Sequence, residues 1–214
     1  MRALVGVVIA VAMVAGCATV PEQAYYPDPR DARTRVVAEA LWRAARAASE
    51  DPQAYSFAMI RTAQVRAYTA EDATFYFSEG LAAQSARVID ALVAHEVAHE
   101  LLDHVGTRRA LSQSITGGFT VLGVVVPGLS ALDLAANPLI VRAYTRDQEL
   151  QADRRAVEVL RDMGYTTPRR VLADALRAAA TLNEAEERGP FVAEPGLRER
   201  LAALEPLEPV ALTR

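Results

Sequence analysis

A chain of 214 residues is long enough for one domain with a sizeable core, and 51% hydrophobic with 23% charged residues is an ordinary globular composition. A net charge of −4 leaves no basic footprint for nucleic acid, which sets that class of partner aside. The single cysteine excludes a disulfide within the chain.

The chain starts with Met1-Arg2, a short basic pair, and continues as an apolar run over residues 3–15. That length suits the apolar core of an export signal, about 7–15 residues, and is short for a membrane span of about 20. Val14-Ala15-Gly16-Cys17 resembles the lipobox of bacterial lipoproteins. The resemblance implies that residues 1–17 are a signal and that Cys17 is acylated as an anchor. By the same resemblance, Ala18 after the cysteine permits sorting to the outer membrane. The proline-rich, polar residues 18–30 read as a tether.

Asp28-Pro29 has the form of an N-cap followed by proline in the first turn. Val37, Leu41, Ala44 and Ala48 then recur at helical spacing, predicting a helix to about Ser49 with Trp42 in the core. Strands are predicted over 55–60 (YSFAMI), 64–68 (QVRAY) and 74–77 (TFYF). Helical periodicity resumes at Leu81 and predicts one helix through His104, stopped by Gly106. Between Arg109 and Arg142 the only charge is Asp133, and glycines and Pro127 break the stretch. Residues 112–141 read as a buried helical hairpin, with a membrane-contacting flap as the alternative. Helices over 142–163, closed by Gly164, and over 168–187 follow. A short helix near 197–204 precedes a proline-punctuated tail, and no internal repeat is present.

The chain has three histidines, and two lie in His95-Glu96-Val97-Ala98-His99, an H-E-x-x-H string. On a helix, positions four apart differ by about 40° in azimuth and about 6 Å in rise, so both imidazoles reach one metal ion. Glu96 follows the first histidine directly and can act as general base on the attacking water. A catalytic zinc needs three protein ligands and an open position. His104, nine residues after His95, falls on the opposite helix face and reads as structural. Asp103 shares the face of His99, but a third ligand there would stretch the set over about 12 Å of helix. No histidine remains, so the third ligand should be a carboxylate from elsewhere. Glu149 and Asp153 are four apart on a predicted helix; one can bind metal while the other accepts a hydrogen bond from a ligating histidine.

The pattern H-E-V-A-H-x-x-x-x-H over 95–104, followed by T-R-x-x-E-x-x-A-D over 145–153, resembles the HtpX and CAAX-prenyl-protease family of zinc metallopeptidases. The small bacterial lipoprotein members are the most similar in layout. Ser78-Glu79-Gly80-Leu81, Met163-Gly164-Tyr165 with Pro168, and Pro195 with Arg198-Glu199-Arg200-Leu201 resemble further family motifs, and the resemblance spans residues 31–205. It implies His95, His99 and Glu149 as zinc ligands, Glu96 as catalytic base and Asp153 as the outer partner of a ligand. It also implies that Thr74, Phe75, Tyr76 and Phe77 form the edge strand that takes up extended substrate by strand addition. Two positions depart from the family pattern. Arg66 replaces an asparagine before Ala67-Tyr68, and Glu194 replaces the histidine before Pro195. The family histidine is expected near the metal, where it stabilises the oxyanion; Tyr144, Arg146 and Arg198 are the replacements on hand, while Glu194 is irrelevant or inhibitory.

The expected fold is α+β, mostly helical: a zincin-like metallopeptidase domain over 31–206, with a small β-sheet beside the H-E-x-x-H helix and a tail over 207–214. The expected function is zinc-dependent endopeptidase activity, with one Zn2+ per chain. The enzyme would be anchored by lipid to the bacterial cell envelope, at the periplasmic face of the outer membrane. Its partners would be the membrane and misfolded or misassembled envelope proteins as substrates. The alternative is a non-catalytic chaperone or assembly lipoprotein using the same fold. Oligomeric state and cleavage preference are left open.

Overall fold

The computed structural model describes residues 24–69, 74–104, 144–184 and 196–209. The sequence-based expectations for Cys17, the signal, most of the tether, residues 112–141 and Glu194 lie outside them.

Strand β1 (Ala24–Tyr25) leads to helix α1 (Ala32–Ala47). The cap of α1 is Asp31, which accepts from the backbone N–H of Arg33 at 2.9 Å, and not the expected Asp28. Asp28 instead accepts from the backbone N–H groups of Arg30 and Asp31, closing a turn before the helix. Val37, Leu41 and Ala44 are buried as their spacing implies. Trp42 corrects the expectation of a core residue. It lies off that stripe, is 55% exposed, and packs under the Arg46 guanidinium.

A short 3-10 turn (Pro52–Ala54) precedes β2 (Ser56–Ile60), β3 (Ala67–Thr69) and β4 (Thr74–Ser78). The strand order is β1-β2-β4-β3, with β2 and β4 parallel and the other pairs antiparallel. This corrects the expected substrate strand. Thr74, Phe75, Tyr76 and Phe77 belong to β4, which is hydrogen-bonded on both sides and has no free edge to add a strand to. Their run of three aromatic residues reflects burial: Tyr76 is buried on one face, and Phe75 and Phe77 are fully enclosed on the other and stacked at 6.0 Å. Among the described residues, β3 is the edge beyond β4, and it is the strand that packs against the histidine helix.

The predicted long helix over 81–104 is two helices, α2 (Glu79–Ala82) and α3 (Ala86–Leu101). The backbone of α2 presses against the β2–β3 loop: a Cβ on Gly80 would sit 2.2 Å from the Ala63 carbonyl oxygen, which only glycine avoids. α3 restarts after Ser85 and is buried on nearly every face from Ile89 to His99, as expected of a central helix. Around it pack α1, α4 (Arg146–Asp162) and α5 (Pro168–Glu184), with the short α6 (Leu197–Ala203) against α4 and α5. Thr145 and Gln148 form a capping box at the start of α4, and Gly164, at φ +95°, ends its last turn. The mostly helical α+β architecture with one small sheet beside the histidine helix is the one expected.

Candidate metal centre

His95 and His99 project from the buried middle of α3, and Glu149 from the first turns of α4. The two helices bring three donor atoms together. His95 Nε2 lies 3.0 Å from His99 Nε2 and 3.3 Å from Glu149 Oε2, and His99 Nε2 lies 3.6 Å from Glu149 Oε1. Ligands at about 2.0–2.1 Å from a tetrahedral zinc are separated by about 3.3–3.4 Å, so these spacings match one face of a zinc tetrahedron. Two imidazoles and one carboxylate are also a donor set that zinc favours at catalytic sites.

The remaining ring nitrogens confirm which way the imidazoles face. His95 Nδ1 lies 3.0 Å from Asp153 Oδ1, which turns the other ring nitrogen, Nε2, toward His99 and Glu149. His99 Nδ1 lies 2.9 Å from His104 Nδ1. Tyr144 stacks on the other side of His99, ring centroids 3.5 Å apart and 13° from parallel. Glu149 and Asp153, interchangeable by sequence spacing, are thus distinguished: Glu149 completes the donor set and Asp153 supports His95.

Arg200 of α6 is the residue that sequence reasoning missed. Its Nε and Nη2 donate to Asp153 at 2.8 and 2.6 Å, and its Nη1 lies 3.1 Å from Glu149 Oε2. It stands in the R-E-R-L string, where Arg198 had been singled out instead; Arg198 is exposed. Arg146 pairs with Glu199 and is 61% exposed, so neither arginine is a candidate for the reacting centre. Thr69 was also missed. It ends β3 and donates its hydroxyl to Glu96 Oε2 at 3.0 Å.

Charge follows geometry. Burial pushes Glu96 up to about 7; the neighbouring His95 opposes that rise, Glu149 adds to it, and Thr69 opposes it. A carboxyl poised there suits general base work near neutral pH. Burial would also raise Glu149 and Asp153, but both are held below the ordinary carboxylate range, Glu149 by His95 and His99 and Asp153 by Arg200 and His95. Burial brings His99 down to about 3, which keeps the imidazole neutral as a metal ligand requires. Burial and Arg200 lower His95, but the Asp153 and Glu149 carboxylates outweigh them and raise it to about 9, so a metal entering the site displaces a proton there.

Two comparisons with known proteins bear on this site. The family model described as Peptidase family M48 matches residues 29–208, which include both helices and every residue of the cluster. No curated protein matches the chain.

Proposed function

The chain belongs to peptidase family M48, and from that premise we propose that it is a zinc-dependent endopeptidase. The observation that carries the reading is the convergence of His95, His99 and Glu149 beside a buried Glu96. Zinc bound there would supply a Lewis acid that polarises the scissile carbonyl and acidifies a water. Glu96 takes the proton of the attacking water and returns it to the leaving amine. Thr69 keeps the carboxylate aimed while it does so. β3, the outermost strand after β4 among the described residues, ends at Thr69 beside Glu96. A chaperone using the same fold would need neither a buried base nor a donor to orient it.

The setting completes the proposal. Val14-Ala15-Gly16-Cys17 supports a lipid anchor at Cys17, holding the enzyme at the periplasmic face of the outer membrane. The HtpX-like motifs support misfolded envelope proteins as substrates. No helix among the described residues is long and apolar enough to cross a membrane. The test is the full chain purified in detergent, assayed for zinc content and casein cleavage. One zinc per chain and cleavage abolished by chelator are expected; chelator-resistant cleavage, or none with zinc bound, overturns the activity. Fatty-acid label incorporated equally by Cys17→Ala and wild type overturns the anchor.

A further inference from the structure

We infer that His104 is a positioning residue of the metal centre: its Nδ1 accepts the Nδ1 proton of His99 and so holds His99 Nε2 toward the metal. The inference rests on the metal-centre reading above. His99 is fully buried, and its Nε2 belongs to the donor cluster. A nitrogen that gives its lone pair to a metal carries no proton, so the proton of a neutral His99 must sit on Nδ1. His104 Nδ1 is 2.9 Å away, with the two rings inclined at 64° and their centroids 5.1 Å apart. That is a hydrogen-bonding approach and not a stack. His104 Nδ1 is therefore the acceptor, which places the proton of His104 on its Nε2. Each histidine ligand then has an outer partner, Asp153 for His95 and His104 for His99.

The two partners differ in charge, and the difference has a reason. The cluster already holds the carboxylates of Glu96, Glu149 and Asp153. A second outer carboxylate would add a buried negative charge to these three. A neutral imidazole accepts the same proton without that cost. The backbone makes the contact available. Five residues of continuous helix would rotate His104 about 140° away from His99. α3 ends at Leu101, and Asp103 adopts a left-handed conformation at φ +51°, which folds His104 back onto the ligand it follows.

The test uses the full chain in detergent and two variants of similar burial, His104→Phe, which has no acceptor, and His104→Asn, which offers an amide oxygen. Zinc affinity is measured by competition with a chromophoric chelator, the cobalt(II) spectrum is recorded, and the metal-free chains are melted. His104→Phe is expected to lose about 10–100-fold in zinc affinity and to shift the cobalt bands, and His104→Asn to recover most of both. Equal zinc affinity in the two variants, or wild-type affinity in His104→Phe with only a lower melting temperature, overturns the inference. Wild type that binds no zinc, with His95→Ala indistinguishable from it, overturns the metal centre itself, and so the two failures are told apart.

Discussion

The Thr69 hydroxyl donates to the Glu96 carboxylate at 3.0 Å and approaches the Glu96 backbone carbonyl at 3.4 Å. One residue thus joins the end of β3 to the helix that carries Glu96. Tyr144 adds to the junction: its hydroxyl approaches the Thr69 carbonyl at 3.5 Å while its ring covers His99.

Thr69→Val keeps the shape of the side chain and deletes the donor. A hydrogen bond to the ionised carboxylate lowers its pKa, so losing it moves Glu96 further up from about 7. The base works deprotonated, so the acidic limb of kcat/KM against pH should shift upward, with activity lost first at low pH. An acidic limb in the same place as wild type would show that Thr69 does not act on Glu96.

Glu96→Gln should keep the metal and the fold and lose the base. General base catalysis contributes about 10²–10⁴-fold, so hydrolysis should fall by at least that factor with zinc content unchanged. Wild-type proteolysis in this variant would refute the role given to Glu96.

The three carboxylate and guanidinium positions around His95 should separate by function. Glu149→Ala removes a donor atom and should lose zinc on dialysis; Asp153→Asn should keep zinc with about 10–100-fold weaker affinity. Arg200→Leu removes the guanidinium from two nearly buried carboxylates, since Asp153 is 1% exposed and Glu149 12%. Breaking such a pair costs about 3–5 kcal/mol, which urea unfolding of the metal-free chain would register. Unchanged unfolding of Arg200→Leu would mean that the guanidinium is incidental.

The parts of the site that lie on helices were legible in the sequence. The spacing of His95 and His99, and of Glu149 and Asp153, is helical arithmetic, and helices kept it. The parts that depend on chain reversals were not. His104 stands outside the donor set as its spacing implies, but its contact with His99 was hidden by arithmetic for a continuous helix, which the left-handed Asp103 interrupts. Arg200 reaches the site across 105 residues to His95, and local patterning holds no signal for such a contact. The three strands after α1 were recognisable from their aromatic and branched residues, but their order was not. A parallel pairing of β2 with β4 puts the most buried strand, β4, inside the sheet and leaves β3 outside it among the described residues. The burial of Phe75 and Phe77 argues for that interior place, because an edge strand would have exposed more of them.

Helix α3 is tied to its neighbours through one buried carboxylate. Asp90, five residues before His95 on α3, is buried and accepts from Arg43 Nη2 of α1 and from the Tyr165 hydroxyl just after α4, both at 2.6 Å. Burial first, and then Asp90, pushes the Tyr165 phenol up to about 12. An unfolded tyrosine titrates near about 10. The folded chain therefore holds this proton more tightly than the unfolded one, and stability linked to it is complete below about pH 10 and lost as pH rises toward 12. Tyr55, raised to about 12 mainly by burial, contributes in the same window. Tyr165→Phe removes one donor from Asp90 and should cost about 1–3 kcal/mol at neutral pH. It should also lose less stability than wild type between pH 8 and pH 11, because only Tyr55 and other groups remain to titrate. Urea midpoints at the two pH values for both chains decide it. Parallel losses in the two would show that the Tyr165–Asp90 bond does not couple the fold to alkaline pH.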